Sequence, residues 1–148
     1  MKIFIGTDHR GIITEKEITK HLQNKKYEVI QSNIEHSDTD DYVDFALDIA
    51  KKVIETKDSF GILICGTGIG MSIAANKVKG IRAARCVNKE DALLTRTDND
   101  SNILCLSYKT PLKDNIEIIE TFLNTSASSE ERHKRRINKI TKYENGEI

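Results

Sequence analysis

The sequence is poor in one-sided charge, in long apolar runs and in cysteine, and each shortage narrows what the chain can be. Its 23 basic and 23 acidic side chains balance, so no global field argues for nucleic acid or an anionic membrane as partner. Any anion site must be local. No apolar stretch reaches transmembrane length, and Met1-Lys2-Ile3-Phe4-Ile5-Gly6 reads as a strand without the long apolar run of a signal peptide. A cytoplasmic protein is expected. The cysteines Cys65, Cys86 and Cys105 are odd in number and lack CxxC or CxxH spacing, which speaks against a disulfide frame and against structural metal. At 148 residues the chain has room for one domain with a real core and is too short for two ordinary ones.

What the sequence does hold is an unusual stretch over residues 61–77. Ile62 to Ile64 suit a strand covered on both faces, Cys65 ends it, and Gly66, Gly68 and Gly70 alternate with Thr67 and Ile69 before a helix opens. Glycine lets a backbone approach a ligand closely. Free N–H groups at such a turn, together with a helix N-terminus, favour an anion or an oxygen that becomes negative during a reaction. Familiar glycine loops do not fit. A nucleotide-binding P-loop needs Gly-Lys-Ser/Thr, whereas Gly70 is followed by Met71 and Ser72. A dinucleotide fingerprint would need its third glycine, and a cysteine phosphatase loop its arginine, where Met71 stands. A cysteine beside an oxyanion nest remains.

Strand and helix signals alternate along the chain. Ile3 to Ile5 read as a strand, followed by the polar loop Gly6 to Gly11, and Thr14 with Glu17 has capping-box spacing for a helix carrying Ile18 and Leu22. Tyr27 to Ile30 read as a second strand. In residues 42–54, Tyr42, Phe45, Ala46, Ile49, Ala50, Val53 and Ile54 make one helical face. After the glycine loop come a helix to about Lys77, a strand over 81–87, a helix over 89–97 with Asn88 as N-cap, and a strand over 102–106. A helix follows Pro111, and a basic last helix spans 130–143 with Ile137 and Ile140 as a thin apolar stripe suited to docking on another subunit. The pattern predicts an α/β, doubly wound, Rossmann-like fold: a five-stranded parallel sheet with helices on both faces. With strand order 2-1-3-4-5, the switch point would join Asp8 and His9 to the loop from Cys65 to Gly70.

Each candidate residue has a plainer reading beside it. Free cysteine is often buried, and Cys86 and Cys105 fit that description. Cys65 stands beside a helix start, where a thiol gives up its proton more readily and can serve as base or nucleophile. The Thr67 hydroxyl either satisfies the turn or relays protons next to the cysteine. Asp8 and His9 are ordinary loop residues or, following the first strand, ligand contacts. His21 and His36 have no such context. Asp38, Asp40, Asp41 and Asp44 lack calcium-loop spacing and read as a solvated face or helix start. The run from Arg132 to Arg136 is solvated surface or an anion clamp, because Arg132 and Arg136, four apart, leave the same helix face. Lys109 is a further cation.

Taken together, these residues resemble the family of type B ribose-5-phosphate isomerases and galactose-6-phosphate isomerase subunits. The resemblance runs nearly end to end, through Gly6-Thr7-Asp8-His9, Asp41-Tyr42, the loop from Cys65 to Gly70 with Ser72 to Lys77, Asn99 to Asn102, and Arg132 to Arg136. It implies conversion of an aldose phosphate to a ketose phosphate through an enediolate, without metal or organic cofactor. By resemblance, Cys65 is the base between C2 and C1, and Thr67 exchanges protons between the two oxygens. The N–H groups of Gly66, Gly68, Ile69 and Gly70 hold the negative charge. Asp8, His9 and Tyr42 contact the sugar, and Asn99, Lys109, Arg132 and Arg136 orient the substrate and its phosphate. The resemblance also implies a pocket between subunits, hence a homodimer or a dimer of dimers. Asp98 stands where the family usually carries the histidine that opens the furanose ring, Val43 where proline is common, Ser107 where glycine is common, and Lys109 where arginine is common. The expected reaction is ribose 5-phosphate to ribulose 5-phosphate. The alternatives are isomerisation of a hexose 6-phosphate, galactose or allose, and a non-catalytic sugar-phosphate-binding subunit.

Overall fold

The computed structural model describes residues 1–148. Five strands, β1 (Lys2–Thr7), β2 (Glu28–Gln31), β3 (Ser59–Cys65), β4 (Ala83–Arg85) and β5 (Ile103–Ser107), form one sheet in the order β2-β1-β3-β5-β4. All four pairings are parallel. The helices are α1 (Ile12–Asn24), α2 (Tyr42–Glu55), α3 (Ile69–Ala75), α4 (Lys89–Asn99), α5 (Leu112–Asn124) and α6 (Glu131–Glu144). No helix is long and apolar enough to cross a membrane.

The doubly wound architecture follows from period-two alternation in strands that are buried on both faces. Ile3, Ile5, Ile62, Ile64, Leu104 and Leu106 point to one side, where Ile18 and Leu22 of α1, Ala92 of α4 and Ile118, Ile119 and Phe122 of α5 cover them. Phe4, Leu63, Cys65, Ile103 and Cys105 point to the other side, against Phe45, Ala46, Ile49, Ala50 and Val53 of α2 and Met71, Ala74 and Ala75 of α3. Cys65 therefore belongs to the α2 and α3 layer.

The strand order differs from 2-1-3-4-5 by exchange of the last two strands. Each of Ile103 to Leu106 is buried, so β5 belongs inside the sheet, whereas β4 has only three residues and an exposed Arg85 and takes the edge. The junction of β1 and β3 is unaffected. Helix α1 also starts earlier than the capping-box spacing suggests: Gly11 is its N-cap, without a side-chain cap, and Thr14 lies inside the first turn. The reason is the turn before it, where Gly11 N–H donates to the Asp8 carbonyl and Glu15 N–H to the Gly11 carbonyl. At α4 the Asn88 carboxamide does cap, accepting the Asp91 N–H at 2.8 Å.

Glu15 is buried on α1, and burial pushes its carboxyl from 4.5 up to about 7, against the His36 charge and the Gln31 hydrogen bond, which lower it. The folded chain then holds a proton that the unfolded chain has released, so stability falls as pH rises from about 4.5 through 7. Glu15→Gln removes this loss. Urea unfolding should find the variant's gain over the parent larger at pH 8 than at pH 4.5 by about 3 kcal/mol; equal differences at the two pH values would refute the assignment.

Candidate active site

Pairing of Thr7 with Ile64 puts the carboxyl ends of β1 and β3 side by side, so the loops after them open into one cleft. The cleft holds about 320 Å³ and is lined by Asp8, His9 and Arg10 after β1, Asp40, Asp41 and Tyr42 at the start of α2, and Cys65, Gly66, Thr67 and Gly70 after β3. Of the expected site residues, Asp8, His9, Tyr42, Cys65, Gly66, Thr67 and Gly70 meet here.

The glycine loop presents the thiol and a set of donors. Gly68 N–H donates to Cys65 Sγ at 3.1 Å, Ile69 N–H donates to Thr67 Oγ1 at 3.2 Å, and the N–H groups of Gly66, Thr67, Gly70 and Met71 make no hydrogen bond within the chain. Those donors are available to a ligand. The carbonyls are turned away: Arg85 Nε donates to the Thr67 carbonyl at 2.8 Å and the Ser107 hydroxyl to the Gly66 carbonyl at 2.8 Å. Both clamps hold acceptors away from the place where a negative charge would sit. Gly68 has φ +77°, in the left-handed region, and a Cβ on Gly70 would stand 2.6 Å from the Tyr42 ring. Tyr42 thus roofs the loop.

The opposite wall is built on Asp40. Its Oδ1 accepts from the backbone N–H and from Nδ1 of His9, each at 2.8 Å, while Oδ2 meets His36 Nδ1 at 2.7 Å. Burial would raise the Asp40 carboxyl, but the hydrogen bonds from His36 and His9 outweigh it and hold the group at about 2. The Asp40 hydrogen bond in turn raises the His9 imidazole above its ordinary value. Asp8, 6% exposed, accepts the Arg10 N–H at 3.0 Å and so keeps its own loop closed. No set of three His, Cys, Asp or Glu side chains converges as metal ligands do.

Other predicted residues lie elsewhere in the single chain. Asp98 and Asn99 end α4, where the Thr97 hydroxyl donates to Asp98 Oδ1 at 2.9 Å and the buried His133 Nε2 lies 3.7 Å from the same oxygen. Arg132 and Arg136 are exposed on α6, which packs on α4, and Arg132 pairs with Glu130 at 2.7 Å. Lys109 is exposed beyond β5, its N–H donating to the Ser107 hydroxyl at 3.1 Å. None of these five lines the cleft around Cys65. Sequence reading also passed over Asp40, Arg10 and Arg85. The acidic cluster concealed Asp40, which has no local signal for its two imidazole partners.

The fold and cleft define a doubly wound α/β protein with a thiol set in an oxyanion cradle at the switch point. Residues 3–140 match the family model described as Ribose/Galactose Isomerase. The chain is 44% identical over 145 residues to the probable ribose-5-phosphate isomerase B of Mycoplasma genitalium, covering 96% of this chain and 95% of that protein. It is 39% identical over 144 residues to the ribose-5-phosphate isomerase B of Escherichia coli, covering 97% and 96%. The crystal structure of the Mycoplasma genitalium enzyme with bound ribulose-5-phosphate superposes with a TM-score of 0.91 at 43% identity, covering 97% and 96%. The chain belongs to the ribose/galactose isomerase family.

Proposed function

We propose that the chain is a cytoplasmic aldose-ketose isomerase that interconverts ribose 5-phosphate and ribulose 5-phosphate, with neither metal nor organic cofactor. The observation that carries this reading is Cys65 Sγ, held by the Gly68 N–H at 3.1 Å beside a loop of unused donors. The Cys65 thiolate removes the proton from C2 of the open-chain aldose, and the electron pair moves to form the C1–C2 double bond while negative charge develops on O1. N–H groups of Gly66, Thr67 and Gly70 stabilise that oxygen. The Thr67 hydroxyl passes a proton from O2 to O1, and the Cys65 thiol returns its proton to C1, giving the C2 ketone. Asp8, His9 and Tyr42 hold the sugar.

A second copy of the chain completes the site. Ile69 and Ile73 on α3 are 47% and 57% exposed, an apolar pair beginning in the glycine loop itself. A homodimer packed there brings Asp98, Asn99, Arg132 and Arg136 of one chain to the cleft of the other. Mixing Cys65→Ala with Arg132→Ala protein through subunit exchange should then restore up to about a quarter of the parent turnover, since random pairing leaves one intact site in half of the dimers. No recovery after demonstrated exchange would reject shared sites.

The reaction is tested by proton NMR of ribose 5-phosphate in deuterated water. Ribulose 5-phosphate with deuterium entering from solvent is expected. Absence of both product and exchange would reject the pentose assignment, and turnover of galactose or allose 6-phosphate in the same assay would replace it with the hexose reading.

A further inference from the structure

The Asp40 carboxylate bonds a second imidazole besides His9, and that residue does not line the cleft. We propose that His36 is a positioning residue of the active site: through Asp40 it fixes the orientation and tautomer of His9 and shares the carboxylate charge that His9 would otherwise hold alone. The kinetic part of this inference rests on the isomerase reading; the structural part does not.

The geometry is a closed set. Asp40 Oδ1 takes two donors from His9, its backbone N–H and Nδ1–H, both at 2.8 Å, while Oδ2 takes His36 Nδ1–H at 2.7 Å and the Ser37 N–H at 3.3 Å. A carboxylate has about four acceptor positions, so this one is filled. Because an ionised carboxylate only accepts, both imidazoles must carry a proton on Nδ1, which leaves His9 Nε2 as the nitrogen available to the cleft. His36 is itself fixed: its ring stacks on the buried Phe45 of α2, centroids 4.8 Å apart and planes 16° from parallel. The set thus runs from a core aromatic through His36 and Asp40 to the cleft. With His36 removed, Oδ2 keeps only the Ser37 N–H at 3.3 Å, so Asp40 and the His9 ring it holds are free to shift together as one pair.

The charge consequence has a definite sign. Around His9 stand Asp8 and Arg10 from the loop after β1, Asp40 and Asp41 before α2, Tyr42 on α2 and Cys65 on β3, and the buried Glu15 on α1 interacts with His36. A donor on Oδ2 draws negative charge from Oδ1, so the His36 Nδ1–H makes Asp40 hold the proton of His9 less firmly. Loss of His36 leaves Asp40 to His9 alone, so the His9 proton should be released at higher pH.

The test separates ring stacking from hydrogen bonding. His36→Phe keeps an aromatic ring against Phe45 without a donor, and His36→Asn keeps a side-chain N–H without the ring. The chain has 4 histidines, so each ring C–H signal can be assigned by single substitution. In ligand-free protein, His36→Phe is expected to move the His9 midpoint up by roughly half a pH unit or more, and His36→Asn to bring it back toward the parent value. In the Phe variant kcat/KM at its optimum should fall roughly tenfold. An unmoved His9 midpoint in His36→Phe, or an Asn variant altered as much as the Phe variant, would overturn the proposal. If His36→Phe does not fold, the parent protein decides: nitrogen-15 NMR of the neutral rings should find the proton on Nδ1 in both His9 and His36, and an Nε2–H tautomer in either ring would overturn it. The expected His9 response in a protein that isomerises no sugar phosphate would remove the isomerase reading while leaving the structural role of His36 in place.

Discussion

Cys65→Ala is expected to lower kcat for ribose 5-phosphate by about 10³-fold or more, while leaving the protein folded. The thiol ends β3 with 5% exposure, and within one chain the cleft offers His9 and three carboxylates as its other potential bases. Two of those carboxylates are engaged: Asp8 accepts from the Arg10 N–H, and Asp40 is filled by imidazoles. None shares the position of Sγ against the Gly68 N–H. Cys65→Ser is the sharper comparison, because a hydroxyl can still accept that N–H but is a far weaker acid, and therefore ionises far less at neutral pH. It should restore packing without restoring rate. Solvent deuterium entry, followed together with urea unfolding, reads both properties; an alanine variant within tenfold of the parent rate would dismiss Cys65 as the base.

Gly68→Ala carries the second large effect, and here stability and activity should fall together. The residue has φ +77°, and an added Cβ would lie 3.2 Å from both the carbonyl carbon and oxygen of Leu106 and 3.3 Å from the carbonyl carbon of Cys105. These are backbone atoms of β5, a strand hydrogen-bonded on both sides, so the loop must yield instead. Yielding displaces the N–H that meets Cys65 Sγ and spoils the donors beside it. A loss of about 1–3 kcal/mol in stability and of about 10²-fold in kcat is expected. Gly146→Ala is the matching control: its φ is +72°, but a Cβ there meets nothing within 4 Å. It should show a conformational cost near 1 kcal/mol and an unchanged rate. Equal effects at the two glycines would mean that φ alone, and not the contact with β5, determines the outcome.

The difference between these glycines could not be read from sequence. Spacing did identify the loop from Cys65 to Gly70, because a strand of Ile62 to Ile64, a run of alternate glycines and a following helix are all local features. The helical face of α2 was equally legible from its three- and four-residue spacing, although its end residues Tyr42 and Ile54 proved 39% and 46% exposed. Tyr42 instead covers Gly70, a contact that depends on how α2 lies across β3.

Contacts distant in sequence were hidden for a physical reason. Side-chain pairing across loops depends on where the sheet places their ends, and no residue type announces its distant partner. Asp40 reaches His9 across 31 positions and Arg85 reaches Thr67 across 18. His133, set in a basic run that reads as solvated, is only 7% exposed because α6 turns it inward against α4.

By itself, the sequence determined the alternation of strands and helices, the two-faced burial of the central strands and the position of a thiol beside a glycine cradle, because each depends on residues within a few positions of one another. The tertiary structure alone decided that β5 lies inside β4, that Asp40 joins His9 to His36, and that Asp98, Asn99, Arg132 and Arg136 stand away from the Cys65 cleft of their own chain. Those outcomes depend on which surfaces can be buried together once the whole sheet has assembled.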